Sequence, residues 1–269
     1  MNRLAYFGLF LWISAFFGSC FPKDDEPSLE EQTTQIQAYL AQKGLTGKQT
    51  STGIYYVTLF TSPLTRKPTK GEQITFSYQA RYLDEAIIPN ATGVARLPFG
   101  TGSINSQIED ALAVSPEGDS VKVFLFGNPL IMYNMKVQAI RSEAEQIAKI
   151  KVDSSYQTTV TGSGLEYIIT TIGSGDAPVI GNTVTVKYTL RQLYGTLLDQ
   201  SQGSAGTSFT LTTGGLISGF IESVLLLKEG GKGKFILPSS IAYGTTGSSS
   251  GVISPYTPLY FEIELVSVN

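Results

Sequence analysis

Three stretches of this chain occur twice, in the same order and at nearly the same spacing. Thr50-Ser51-Thr52-Gly53-Ile54-Tyr55-Tyr56-Val57 pairs with Thr161-Gly162-Ser163-Gly164-Leu165-Glu166-Tyr167-Ile168, 111 residues further on. Gly71-Glu72-Gln73-Ile74-Thr75-Phe76-Ser77-Tyr78 pairs with Gly181-Asn182-Thr183-Val184-Thr185-Val186-Lys187-Tyr188 at 110 residues. Ile108-Glu109 with Leu112 pairs with Ile221-Glu222 with Leu225 at 113. So long a spacing marks a whole domain, not a solenoid unit, whose repeat is roughly 20–50 residues. The chain is therefore expected to hold two copies of one domain, at 28–141 and 142–269, after an amino-terminal address at 1–19 and a tether at 20–27.

Each copy opens on helical spacing. Ile36, Tyr39 and Leu40 lie three and four apart, and Ser28 with Glu31 forms a capping-box pattern, so a helix is expected over 28–43. Ser142 and Glu145 open a second over 142–151. Val184, Val186 and Tyr188 then alternate at period two, as do Phe235 and Leu237 and, less strictly, Tyr260, Ile263 and Leu265. One short helix is expected around 218–227, ending at Gly230-Gly231. Antiparallel strands wrapped around one short helix predict an α+β fold for each copy.

Composition removes several chemistries. The net charge is −3 with no long basic run, which argues against nucleic-acid binding. There is no His and only one Cys. Serine–His and Cys–His catalysis are thus excluded, as is a zinc site built on Cys. No metal site and no cofactor is expected. Any enzymatic activity must run on carboxylates, hydroxyls, Lys or binding alone.

The second copy resembles the FKBP-type peptidyl-prolyl cis/trans isomerases over about 110 residues. Val184-Thr185-Val186-Lys187-Tyr188 resembles the strand that ends in a pocket Tyr, and Gly195-Thr196-Leu197-Leu198-Asp199-Gln200-Ser201 the turn that follows. Leu216-Ile217-Ser218-Gly219-Phe220-Ile221-Glu222 resembles the start of the central helix, and Ala242-Tyr243-Gly244 matches the family loop without change. Val252-Ile253-Ser254-Pro255, followed by Leu259-Tyr260-Phe261-Glu262-Ile263-Glu264-Leu265, resembles the family's ending. The resemblance implies catalytic roles for Tyr188, Asp199, Phe220 and Tyr243, and substrate binding by Leu198, Leu216, Ile217, Ile253 and Phe261. It implies proline-containing polypeptides as clients and admits a macrolide inhibitor. The departures are Leu198 at an aromatic position, Phe220 in place of the pocket-floor Trp, Thr207 where an aromatic is expected, and a loop TTGSSSGVI one residue longer than the common form. They leave macrolide affinity open. A non-enzymatic chaperone or binding protein that retains the fold is the competing reading.

The first copy keeps Tyr78 at the strand position of Tyr188. On the letter match, Pro89 stands for Asp199 and Gln107 for Phe220, and no Ala-Tyr-Gly is present. The segment Phe126 to Met135, with Tyr133 its only aromatic besides Phe126, is too short for the long final loop. This copy is expected to carry the fold without a working pocket, as a spacer, a client-binding surface or a dimerisation module.

The amino terminus reads as an address. Arg3, the apolar run Leu4–Phe17 and Gly18-Ser19-Cys20 have the layout of a secretory signal, and the run is short for a membrane span. Phe17-Gly18-Ser19-Cys20 resembles a bacterial lipobox, whose Cys is acylated; an ordinary signal with an incidental Cys is the alternative. The expectation is a lipid-anchored protein of the bacterial cell envelope, at the outer membrane, with either face open. Lys23-Asp24-Asp25-Glu26 resembles the acidic export signals of some surface-exposed lipoproteins and equally suits a solvated linker. Cys20→Ala is expected to release the protein from membranes or leave an unprocessed precursor. A variant that fractionated with membranes, processed and at wild-type mass, would place the anchor elsewhere.

Overall fold

A computed structural model describes residues 26–269. The signal-like segment, Cys20 and the start of the tether lie outside the described residues. Two compact units follow, one ending at Ile140 and the other comprising Arg141–Asn269 together with the short segment Lys70–Gln73.

The first unit runs α1 (Leu29–Lys43), β1 (Lys48–Gln49), β2 (Tyr55–Phe60), β3 (Gln73–Tyr82), β4 (Ile87–Pro98), α2 (Ser106–Ala113), β5 (Ser120–Leu125) and β6 (Ile131–Arg141). The second runs α3 (Glu143–Asp153), β7 (Thr159–Val160), β8 (Glu166–Thr171), β9 (Thr183–Gln192), β10 (Leu197–Gln200), β11 (Thr207–Thr210), α4 (Ser218–Leu225), β12 (Lys232–Leu237), a single 3-10 turn η1 (Ser239–Ile241) and β13 (Leu259–Val268). The sheets have one strand order: β1-β2-β5-β6-β3-β4 in the first unit and β7-β8-β12-β13-β9-β10 in the second. Both units are α+β, each an antiparallel sheet around one short helix with a helical lead-in. The difference lies at one edge. β4 is a continuous strand of 12 residues, whereas the second unit breaks there into β10 and β11, both paired with β9.

Local chemistry accounts for these elements. Ser28 and Ser142 cap the lead-in helices, and in each the residue three on, Glu31 or Glu145, closes the box onto the cap's own amide. Two orphan donors are satisfied at each start. Strand alternation then sorts the sheet faces. In the second unit Val184, Val186, Leu190, Phe235, Leu237, Phe261, Ile263 and Leu265 form the inner core with Phe220 and Val224 of α4. On the outer face, Ile147 of α3 packs with Leu193 and Ile236. The first unit repeats this arrangement, with Ile36, Tyr39 and Leu40 of α1 against Val57, Phe124 and Met132.

The central helices correct the letter match. α2 starts at Ser106 and α4 at Ser218, a spacing of 112 instead of 113. Buried Ile108, Ala111 and Leu112 then correspond in position to buried Phe220, Ser223 and Val224. One residue is about 100° of helix rotation. The 113 spacing would equate fully buried Leu112 with Leu225, which is 36% exposed. A side-chain bond fixes the same register: Thr52 Oγ1 donates to Asp110 at 2.5 Å, and Ser163 Oγ to Glu222 at 2.6 Å. Ile108 therefore occupies the place of Phe220, and Gln107 that of Gly219.

That exchange matters locally. A Cβ on Gly219 would lie 2.6 Å from Leu237 Cδ2 and 2.9 Å from the Ile241 carbonyl oxygen. Gln107 instead spans the shorter loop after β5, donating to the Phe126 carbonyl at 3.1 Å and accepting from the Phe126 amide at 2.7 Å. Gly219→Ala would gain about 1 kcal/mol of helix propensity. Overpacking typically costs about 1–3 kcal/mol, and the Ile241 oxygen is main chain and cannot rotate away. The expected outcome is a net loss of stability, seen as a lower urea midpoint; a midpoint at or above wild type would show that the helix shifts freely.

Candidate functional site

The site is built where β9 loses its continuous neighbour. β10 pairs with β9 at residues 189–191 and β11 at residues 183–186, so Tyr188 sits at the break. The chain between them is tied back at this point: Ser201 donates its amide to the Tyr188 carbonyl at 3.0 Å and accepts the Tyr188 amide on its hydroxyl at 3.2 Å. This frees the Tyr188 ring to stand over α4.

Four aromatic rings meet there. Tyr188 lies 6.1 Å from Phe220 and 6.2 Å from Phe261, and Phe220 lies 5.5 Å from Phe261. Phe209 of β11 completes the group, 5.4 Å from Phe220 and 6.0 Å from Tyr188. Phe220, Ile253 and Phe261 are buried, and half-buried Leu198, Leu216, Ile217 and Tyr243 pack against the same cluster. The structure thus gathers all the sequence-predicted apolar site residues in one place. Phe209 was not among them. Its signal was the alternation Thr207-Ser208-Phe209, which turns Phe209 inward opposite Val184.

Asp199 is exposed and accepts the Tyr188 hydroxyl at 2.6 Å. Burial, then the hydrogen bond to Asp199, pushes the Tyr188 phenol well above the ordinary tyrosine range. Burial, then the charge of Asp199, also raises the Tyr243 phenol. Both phenols therefore remain protonated donors at neutral pH beside one carboxylate. Ile217 is the N-cap of α4, and its carbonyl accepts the Phe220 and Ile221 amides. Tyr243 follows η1, between two residues whose amides share one acceptor: Ala242 and Gly244 both donate to the Ser239 carbonyl, at 2.9 and 2.8 Å.

In the first unit Tyr78 lies 6.1 Å from Tyr133, and Tyr133 stands opposite Val123 as Phe261 stands opposite Phe235. Ile108 replaces the third ring, and no acidic residue stands at the position of Asp199, which is Pro89.

With this geometry in hand, residues 175–266 match the family model described as FKBP-type peptidyl-prolyl cis-trans isomerase. The second unit is an FKBP-type domain. The chain is 40% identical over 109 residues to the probable FKBP-type peptidyl-prolyl cis-trans isomerase FkpA of Neisseria meningitidis, covering 40% of this chain and 39% of that protein. It is 38% identical over 107 residues to the macrophage infectivity potentiator of Trypanosoma cruzi, covering 39% and 54%. It is 37% identical over 109 residues to the outer membrane protein MIP of Legionella longbeachae, covering 40% and 46%. The match thus spans about half or less of each relative's length.

The raised Tyr188 phenol gives this FKBP-type domain a pH signature. The folded state holds that proton more tightly than the unfolded state, so its contribution is fully present below the ordinary phenol value near ~10 and is lost as pH rises beyond it. The difference in thermal transition between wild type and Tyr188→Phe should therefore narrow as pH rises past about 10. A difference that stays constant would mean that neither burial nor the Asp199 bond holds the Tyr188 proton in the folded state.

Proposed function

We propose that this protein is a peptidyl-prolyl cis/trans isomerase acting on proline-containing proteins in the bacterial cell envelope, held to the membrane through acylated Cys20. The observation that carries the reading is the apolar cup of Tyr188, Phe209, Phe220 and Phe261 with Asp199 bonded to its rim. The FKBP-type match and the isomerase names of the relatives support the activity. The envelope reading draws on the lipobox-like segment and on the relative named as an outer membrane protein.

The reaction breaks no covalent bond. Its barrier, about 18–20 kcal/mol, is the partial double-bond character of the peptide linkage. The two isomers of an X–Pro bond differ by only about 0.5–1 kcal/mol, yet exchange over roughly tens to hundreds of seconds. Only interactions stronger with the twisted amide than with either planar form accelerate exchange. Twisting ends conjugation, and the carbonyl oxygen then carries less negative charge. A dry aromatic cup penalises the planar forms more than the twisted one. In this reading Phe220, Phe261 and Ile253 seat the proline ring, with Leu198 and Leu216 at the rim. Tyr243 donates its hydroxyl and Ile217 its amide to substrate carbonyls, while Asp199 fixes the Tyr188 ring.

Phe220→Ala would remove core as well as floor, at a cost of about 3–5 kcal/mol, so its loss of activity would be ambiguous. Asp199→Ala and Tyr243→Phe act at the rim. Each is expected to lower the isomerisation rate of a proline tetrapeptide about tenfold or more while leaving the fold intact by circular dichroism. Full activity in both would place catalysis outside this cup.

A further inference from the structure

The loop that carries Tyr243 is held from outside the family match. Glu143, the first residue of α3, accepts the Ser239 amide on Oε1 and the Ser239 hydroxyl on Oε2, the latter at 2.8 Å. Ser239 is buried, 6% exposed, and its carbonyl accepts the amides on both sides of Tyr243. One carboxylate therefore holds one residue by its amide and its hydroxyl, and that residue's carbonyl ties the backbone before and after Tyr243. The matched region starts at residue 175, well after Glu143.

The first unit makes the same kind of contact with a different side chain. Gly127 holds the place of Ser239, two residues beyond the third strand of its sheet, and its amide donates to Gln32 Oε1 of α1 at 2.8 Å. Both lead-in helices thus reach the amide that opens the loop after that strand. Only in the FKBP-type domain is the acceptor a carboxylate that takes two donors, and only there does the loop carry a site residue. Charge-assisted bonds to a carboxylate are roughly twice as strong as neutral ones, and a carboxylate in the first helical turn is further favoured by the helix dipole.

We propose that Glu143 is a positioning residue for the prolyl site: it sets the Tyr243 loop through Ser239 and never touches substrate. This rests on the isomerase reading above. Without Glu143 the buried Ser239 amide has no acceptor, and the loop must move or admit water to satisfy it. Displacement of about 1 Å at a catalytic group is enough for large rate losses.

The test uses the full chain with Glu143→Ala, Glu143→Gln and Glu145→Ala. Glu145→Ala opens the capping box of α3 while the Glu143 bonds to Ser239 are kept, and so controls for weakening of the helix start. Amide hydrogen exchange is followed at Ser239, Ala242 and Gly244, and kcat/KM is measured on a proline tetrapeptide. Glu143→Ala is expected to speed exchange at all three amides and lower kcat/KM about tenfold. Glu143→Gln, which keeps one acceptor, should fall between it and wild type, and Glu145→Ala should match wild type in both readouts. Unchanged exchange in Glu143→Ala overturns the proposal, as does faster exchange with wild-type kcat/KM. Equal losses in Glu145→Ala overturn it in favour of general helix stability. A wild type that fails to accelerate isomerisation defeats only the functional reading; the exchange data then decide whether Glu143 holds the loop.

Discussion

A helix of eight residues does not persist alone in water, where fewer than about 12–15 residues is marginal. α4 exists because its apolar face is enclosed by the concave side of a sheet. The first unit encloses its own short helix with a continuous edge strand, whereas the FKBP-type domain divides that strand into β10 and β11, and Tyr188 lies at the division with its ring against Phe220 of the helix. Phe220 is at once the helix's main contact with the core and the floor of the cup. Stability and site are made from the same side chains, which is why the rim and not the floor is where function can be probed without unfolding.

The second side of each sheet is also covered. α1 and α3 lie on the outer faces of their own sheets, and each arrangement includes a lysine of the third strand set against a lead-in tyrosine. Lys122 lies 5.0 Å from the Tyr39 ring and donates to its hydroxyl at 2.5 Å. Lys234 lies 4.9 Å from the Tyr156 ring and donates to its hydroxyl at 3.2 Å. The carboxylate partners differ: Glu85 from the hairpin in the first unit, Glu262 from the neighbouring strand in the second. The lead-in helices are therefore integral to each unit and not handles placed before it.

Much of this was legible in the sequence, and the rest was hidden for identifiable reasons. The caps at Ser28 and Ser142 could be read because a capping box is local, three residues wide. Strand alternation around Tyr188 and Phe261 was equally local, and the ordered motifs brought eight apolar and aromatic residues to one place along with Asp199. The register of α2 against α4 was misread because identical letters, Ile-Glu, outweighed burial, which only the packed helix reveals. Phe209 was missed because its value depends on β11 folding beside β9. The link from Glu143 to Ser239 spans 96 residues and joins a helix start to a loop amide and hydroxyl, a pairing that no local spacing marks.

Gly219 and Gln107 bear on how two copies of one domain drift apart. In one copy a missing side chain lets the carbonyl of Ile241 come close, and in the other a long side chain braces a short loop. Neither residue suits the other's surroundings. Placing Gln at 219 would drive it into Leu237 and the Ile241 carbonyl, and placing Gly at 107 would strand the Phe126 main chain. Helix residue and loop length must change together, since groups in contact couple strongly. A short segment exchanged between the copies would therefore carry a helix residue into a loop it does not fit, and the hybrid would be less stable than either parent.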